Sequence, residues 1–216
     1  MIEILKELFG EDYNNALFPI DRKLKIISDL GIDGMSTENI RYTINEFVRR
    51  YAKTYLEIGS YRGSTLISSA IYNNDVRCIS IDNFSEFDQN GTNKSTLLNN
   101  IQKANVSNIE LYDMDYVAGV KHIFDLEPEL KIDVYFYDGN HTYDNQLNGL
   151  NILTDYMSDS CIIFVDDINC ECVDTANDEW LKNNPDFKCI KIFTEGNCSK
   201  TWWNGFTIMY RNIDKV

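Results

Sequence analysis

From Thr54 onward the chain alternates short apolar runs with helical stretches, and this alternation restricts its fold more than any other feature. The runs TYLEIG, RCISID, NIELYD, IDVYFYD and CIIFVDD are rich in β-branched and aromatic residues, as expected of strands covered on both faces. Helical patterns separate them at Ser64 to Tyr72, Thr96 to Ala104, Val117 to Phe124 and Asn145 to Tyr156. Strands joined through helices lie parallel, with helices on both faces of the sheet. Near the end, CIKIF and GFTIMYR are strand-like with no helical pattern between them, which predicts an antiparallel hairpin. The expected fold is therefore α/β: a Rossmann-like, doubly wound, mostly parallel sheet closed by a C-terminal antiparallel hairpin and preceded by an N-terminal helical segment.

Residues 1–50 form that lead-in. Ile40, Ile44, Phe47, Val48 and Tyr51 recur at three- and four-residue spacing after the capping candidates Ser36 and Thr37. Gly31 and Gly34 separate this helix from one around Asp21 to Asp29, and Met1 to Phe9 adds a third amphipathic piece. Packing against the sheet is the plain reading; covering a site or forming a homodimer contact is the functional one. Residues 51–216 make up the main domain. Glu3, Lys6 and Glu7 interrupt the first apolar stretch, so it resembles neither a secretory signal nor a spanning helix, and a cytoplasmic protein without membrane contact is expected.

Twenty basic against 34 acidic residues leave a net charge of −14, which repels polyphosphate, and no basic patch is visible. The expected partner is a small-molecule substrate and not nucleic acid. Of the six cysteines, Cys78, Cys161 and Cys189 fall in apolar runs and read as buried thiols. Cys170 and Cys172 make a C-x-C pair, but with only His122 and His141 available a four-ligand zinc site is disfavoured.

Ligands of open parallel sheets bind beyond the carboxyl ends of the strands. Here those ends are acidic: Glu57 with Gly59, Asp82, Asp113 with Asp115, Asp138, and Asp166 with Asp167. The first turn reads Glu57-Ile-Gly59-Ser60-Tyr61-Arg-Gly63-Ser64. Its glycines suit a tight bend or a close backbone approach, while Tyr61 stands where a dinucleotide fingerprint carries its middle glycine. A nicotinamide cofactor is thereby disfavoured. The helix beginning near Ser64 offers N–H groups to a carboxylate and Glu57 offers an anion, so the pair fits an amino-acid-bearing cation. Asp82, 19 residues beyond Gly63, occupies the position from which an acid accepts the ribose hydroxyls of an adenosine cofactor. Asp115 is placed to reach an adenine amino group, with Asp113 competing for that role.

In order along the chain, LEIGSYRGST, ISID, FYDGNHTY and IIFVDD resemble the class I S-adenosylmethionine-dependent methyltransferases over about Thr54 to Tyr210. The similarity is greatest to the branch of macrocin- and mycinamicin-type sugar O-methyltransferases. The resemblance implies S-adenosylmethionine as cofactor, held by Glu57, Gly59, Ser60, Tyr61, Gly63, Ser64, Asp82, Asp115 and Asp138. It also implies a magnesium and base site built from Asp138 with His141 and from Asp166 with Asp167. Two departures are Met157-Ser-Asp-Ser-Cys161, in place of a Gly-Gly turn, and Gly149 where relatives often carry an aspartate.

The residues make their own case for a metal at Asp138, Asp166 and Asp167. Three carboxylates converging at adjacent strand ends repel one another unless a cation neutralises them, and all-oxygen ligation favours Mg²⁺. The plainer alternative is that Asp166 and Asp167 cap the next helix. His141, three residues past Asp138, has an ordinary pKa near 6.5, suited to taking a proton from a hydroxyl. The resulting expectation is a Mg²⁺-assisted O-methyltransferase with His141 and Asp138 catalytic, acting on a sugar or another small diol. The alternatives are a metal-independent N- or nucleic-acid methyltransferase and a non-catalytic S-adenosylmethionine-binding protein. Acceptor specificity is expected from the N-terminal helices, the Asn83 to Asn93 loop and the connection carrying Trp202 and Trp203.

Overall fold

The computed structural model describes residues 1–213. Three helices come first: α1 (Ile2–Phe9), α2 (Lys25–Asp29) and α3 (Glu38–Tyr51). Then β1 (Thr54–Ile58), α4 (Ser64–Ala70), β2 (Arg77–Ile81), α5 (Asn93–Ala104), β3 (Ile109–Tyr112), α6 (Tyr116–Leu126) and β4 (Ile132–Tyr137) alternate. The chain continues through α7 (Tyr143–Asn151), β5 (Met157–Asp166), α8 (Glu171–Asn183), β6 (Lys188–Ile192) and β7 (Phe206–Arg211). The seven strands form one sheet in the order β3-β2-β1-β4-β5-β7-β6. β1 to β5 pair in parallel, and β7 runs antiparallel between β5 and β6. The expected doubly wound sheet and its C-terminal hairpin are both present, with the hairpin's second strand on the inside.

Strand parity divides the apolar side chains between two layers. Tyr55, Val134, Phe136, Ile162, Phe164 and Ile208 face a layer built by α1 to α4, where Leu5, Ile27, Ile40, Phe47 and Leu66 are buried. Leu56, Ile79, Tyr135, Ile163, Val165 and Met209 face α6, α7 and α8, whose Val120, Ile123, Leu150 and Trp180 complete the second layer. The N-terminal helices therefore share one core with the sheet. Thr37 caps α3 as expected, accepting from Ile40 N at 3.4 Å.

Trp202, on the connection between β6 and β7, fastens the lead-in to the sheet. It is fully buried, donates from Nε1 to Tyr13 O at 3.0 Å, meets Phe9 edge-on at 5.1 Å and stacks over Phe206 at 6.0 Å. Among the described residues no helix is long and apolar enough to cross a membrane.

Truncating a buried tryptophan removes a large apolar volume and leaves a cavity. Trp202→Ala should lower the unfolding free energy by about 3–5 kcal/mol, and Trp202→Phe by less, as urea denaturation followed by circular dichroism would show.

Candidate functional site

The carboxyl ends of β1 and β4 are drawn together by backbone contact. Asp138 N donates to Ile58 O at 2.9 Å, and a Cβ on Gly59 would fall 2.0 Å from Asp138 O. With φ at +85°, Gly59 is a position that only glycine fills without strain. The loop after β1 is then tied to β2, because Asp82 Oδ2 accepts from Ser60 N and Tyr61 N, each at 2.8 Å. Asp82 Oδ1 accepts from Phe84 N at 2.7 Å and so starts the next loop as well.

These loops enclose a cleft of about 540 Å³ above the sheet. Of the cofactor residues expected from the sequence, Gly59, Tyr61, Asp82, Asp115 and Asp138 line it. Asp115 also caps α6 through Oδ1, which accepts from Val117 N at 2.9 Å. Its competitor Asp113 is instead paired with Lys94 at 2.7 Å.

Glu57, Ser60, Gly63 and Ser64 lie outside the lining, each for a local reason. Glu57 is fully buried beneath the β1 turn, where Tyr55 Oη donates to it at 2.5 Å and Thr65 Oγ1 at 3.1 Å. The side chain of Ser60 meets Ser80 Oγ at 2.7 Å. Gly63, in the left-handed region, faces Leu97. Ser64 opens α4 but is covered by the 34–36 segment, since a Cβ on Gly34 would lie 1.9 Å from its Oγ. The Ser64 side chain therefore meets the 34–36 segment and not the cleft.

Beyond β4, Tyr137 shapes the turn: its Oη donates to Asn140 O and Asn145 O, both at 3.1 Å. This turn delivers His141 between two carboxylates. Nδ1 lies 3.2 Å from Asp167 Oδ2, and Nε2 lies 3.6 Å from Asp138 Oδ1 without a hydrogen bond. Asp167 adopts φ 60°, rare for a residue with a Cβ, and its Oδ1 accepts from Asn204 Nδ2 at 2.6 Å. Burial acts to lower the imidazole pKa, but the adjoining Asp138 and Asp167 outweigh it and raise His141 above its ordinary value. Enclosure by protein, followed by the negative Asp167 and Asp82, raises Asp138.

The expected metal set of Asp138, Asp166 and Asp167 requires correction. Asp166 continues the parity of Phe164 into the interior, where it is 1% exposed and its Oδ2 has no partner. Burial, with Asp138 and Asp167 nearby, raises it well above the carboxylate range. The cluster able to hold a metal among the described residues is Asp138, His141 and Asp167, whose donor atoms all lie within 4.8 Å of one another. Asp166 and Asp167 do not cap α8; its N-terminal flank is Cys170, without a side-chain cap.

Several lining residues carried little or no signal in the sequence: Met35, Met114, Tyr116, Cys198 and Asn204. The Asn83 to Asn93 loop supplies Phe84 and Phe87, and of the two tryptophans Trp203 lines the cleft while Trp202 is core. Tyr143 turns outward to hydrogen-bond Glu179. Glu86 and Asn140, bonded at 2.8 Å, join the loops after β2 and β4 across the end of β1. All six cysteines are free; Cys78 and Cys161 are buried, Cys189 is half-buried, and Cys170, Cys172 and Cys198 are exposed.

Glu57 makes the site sensitive to pH from below. Burial pushes its carboxyl up to about 8, against an ordinary 4.5. The folded state then holds a proton that the unfolded chain releases, so this contribution to stability is full below about pH 4.5 and is lost as pH rises through about 8. The slope is at most about 1.4 kcal/mol per pH unit. Glu57→Gln should flatten the decline in melting temperature between pH 6 and pH 8; an equally steep decline in both proteins would contradict the assignment.

Residues 56–168 match the family described as Methyltransferase domain. The uncharacterized protein R132 of Acanthamoeba polyphaga mimivirus is 33% identical over 116 residues, which are 53% of this chain and 51% of that protein. The chain thus spans about half the length of the curated relative it matches. Among solved structures, the O-methyltransferase from Bacillus cereus in complex with SAH (S-adenosylhomocysteine) superposes with a TM-score of 0.68 at 15% identity, over 98% of this chain and 100% of that one. The O-methyltransferase TomG from Streptomyces achromogenes, in complex with SAM (S-adenosylmethionine), gives 0.65 at 15% identity, over 97% and 94%. At these identities the two structures establish a shared fold.

Proposed function

The chain belongs to the Methyltransferase domain family, and from that premise we propose that it transfers a methyl group from S-adenosylmethionine to a hydroxyl of a small polar molecule, a sugar or another vicinal diol. The observation that carries the choice of oxygen is His141, held between Asp167 and Asp138 on the wall of the cleft. The bound SAH and SAM of the Bacillus and Streptomyces proteins support the choice of donor. Gly59, Tyr61, Asp82 and Asp115, all on the same lining, are the residues for the cofactor, with Asp115 rather than the Lys94-paired Asp113 toward adenine.

With Nδ1 turned to Asp167, the His141 Nε2 atom has no hydrogen-bond partner and is the atom that takes the acceptor's proton. When bound, S-adenosylmethionine would supply the methyl group to the acceptor oxygen and would leave as the thioether, with the acceptor's proton passing to His141. Alignment of oxygen, carbon and sulfur in the enclosed cleft is worth about 7–11 kcal/mol in well-oriented systems. Asp138 and Asp167, whose oxygens converge beside His141, also fit a divalent cation such as Mg²⁺, with His141 left out of the ligand set so that Nε2 stays free to take the proton. When bound, such an ion would neutralise the two carboxylates and acidify an acceptor hydroxyl. The net charge of −14 favours a small acceptor over nucleic acid. The protein is read as cytoplasmic; a homodimer would need a surface other than the apolar face of α1, whose Leu5, Leu8 and Phe9 are buried in the core.

His141→Ala should bind S-adenosylmethionine with unchanged affinity by calorimetry yet form S-adenosylhomocysteine at a rate about 10²–10⁴-fold lower. Full turnover in that variant would remove the base from the scheme. Exhaustive chelation followed by Mg²⁺ readdition should abolish and then restore turnover; activity indifferent to both treatments would exclude the ion.

A further inference from the structure

The aim of His141 is set from behind Asp167 by Asn204, an inference that rests on the methyl-transfer reading above. Asn204 lies on the connection between β6 and β7 and lines the cleft together with Asp167. Its amide nitrogen donates to Asp167 Oδ1 at 2.6 Å, and its amide oxygen accepts from Cys198 N at 2.6 Å. Each partner admits one orientation: a backbone N–H meets only the oxygen, and a carboxylate meets only the nitrogen. The amide is therefore locked against a flip, with an N–H pointed at Asp167.

The main chain of Asn204 is held independently. Its carbonyl accepts from Asn169 N at 2.8 Å, and the Asn169 side chain clasps the start of the same connection, donating to Thr194 O at 3.0 Å and Gly196 O at 3.2 Å. Gly205, at φ +88°, permits this approach, since a Cβ there would fall 2.7 Å from Asn169 Oδ1. Asn204 thus reaches Asp167 from a fixed frame. The Asp167 carboxylate has two side-chain partners among the described residues: Asn204 at Oδ1, and His141, whose Nδ1 lies 3.2 Å from Oδ2. A carboxylate gripped at one oxygen presents the other in a defined direction. Nδ1, facing that oxygen, carries the ring proton and leaves the lone pair on Nε2, the atom without a hydrogen-bond partner. Released from Asn204, Asp167 could turn about its side-chain torsions, and the ring would lose both its tautomeric bias and its direction.

We infer that Asn204 is a positioning residue for methyl transfer: by holding Asp167 Oδ1 it directs Oδ2 at His141 Nδ1 and keeps Nε2 in the proton-accepting form. It acts through Asp167 and His141, not on the acceptor, so its contribution exists only while the imidazole is present.

Two variants of the full chain test this. Asn204→Asp keeps the volume and the oxygen that meets Cys198 N but removes the donor to Asp167; Asn204→Ala removes both bonds. Each should bind S-adenosylhomocysteine within about twofold of the parent by calorimetry yet show a kcat about 10–100-fold lower. In a His141→Ala background, Asn204→Ala should cost no further activity, because the residue it positions is gone. The chain has two histidines, so ring ¹H–¹⁵N spectra with His122→Gln as reference isolate His141. At alkaline pH, where the ring is neutral, the Nδ1–H form should dominate in the parent and give way to a mixture in both variants. Undiminished kcat in Asn204→Asp, an equal loss in the His141→Ala background, or an unchanged tautomer overturns the inference. Failure of both variants to fold overturns it too, since Asn204 would then be a structural residue. Absence of S-adenosylhomocysteine formation by the parent overturns the methyl-transfer reading instead, and the ring spectra still decide whether Asn204 sets His141.

Discussion

Everything in the cleft depends on how closely the turns after β1 and β4 can approach. Gly59 lies against the Asp138 carbonyl at a distance that no side chain permits. Because β1 sits between β2 and β4, this contact sets the spacing of the loops on either side of it. Asp82 then fixes the first loop by accepting three backbone N–H groups, an arrangement in which one carboxylate does the work of a short stretch of strand. The imidazole of His141 reaches both Asp138 and Asp167 only because the strand ends beneath it are held in this register.

The same closeness explains the electrostatics. Glu57 and Asp166 sit under the site, the first with hydroxyl donors and the second with an unpartnered oxygen, and burial raises both above the ordinary carboxylate range. A carboxyl that keeps its proton costs less to bury than a carboxylate, so this protonation lets the floor be acidic without repelling the wall above it. The wall is different. Its carboxylates meet backbone N–H groups at Asp82 and Asp115, side-chain amides at Glu86 and Asp167, and the His141 ring at Asp138 and Asp167.

Much of this was legible in the sequence, and parity marks where legibility stopped. The runs YLEI, VYFY and IIFV could be read as strands covered on both faces, because branched and aromatic residues fill successive positions. Placing Asp82, Asp115, Asp138 and His141 at the open end of the sheet followed from strand direction alone. Glu57 and Asp166 end strands too, but each shares a face with Tyr55 or Phe164, toward the layer of N-terminal helices. Counting alternate positions from the aromatic residues would have sent both inward; attending only to strand ends sent them toward the ligand. Asp167 escapes by taking a left-handed backbone, which an isolated Asp-Asp pair does not announce. Asn204 and Met35 come from connections whose course depends on tertiary contacts, and no local pattern distinguishes them.

The position of β7 bears on how the molecule is made. It is the last strand along the chain yet lies inside the sheet, between β5 and β6. While a nascent chain is still leaving the ribosome, β5 therefore presents an open edge, and the strand that should cover it emerges after both of its neighbours in the sheet. Asn204, which anchors Asp167, arrives with that same closing stretch. The docking that buries a sticky margin of the sheet is also the event that finishes the cleft, so a half-synthesised chain cannot hold a completed site.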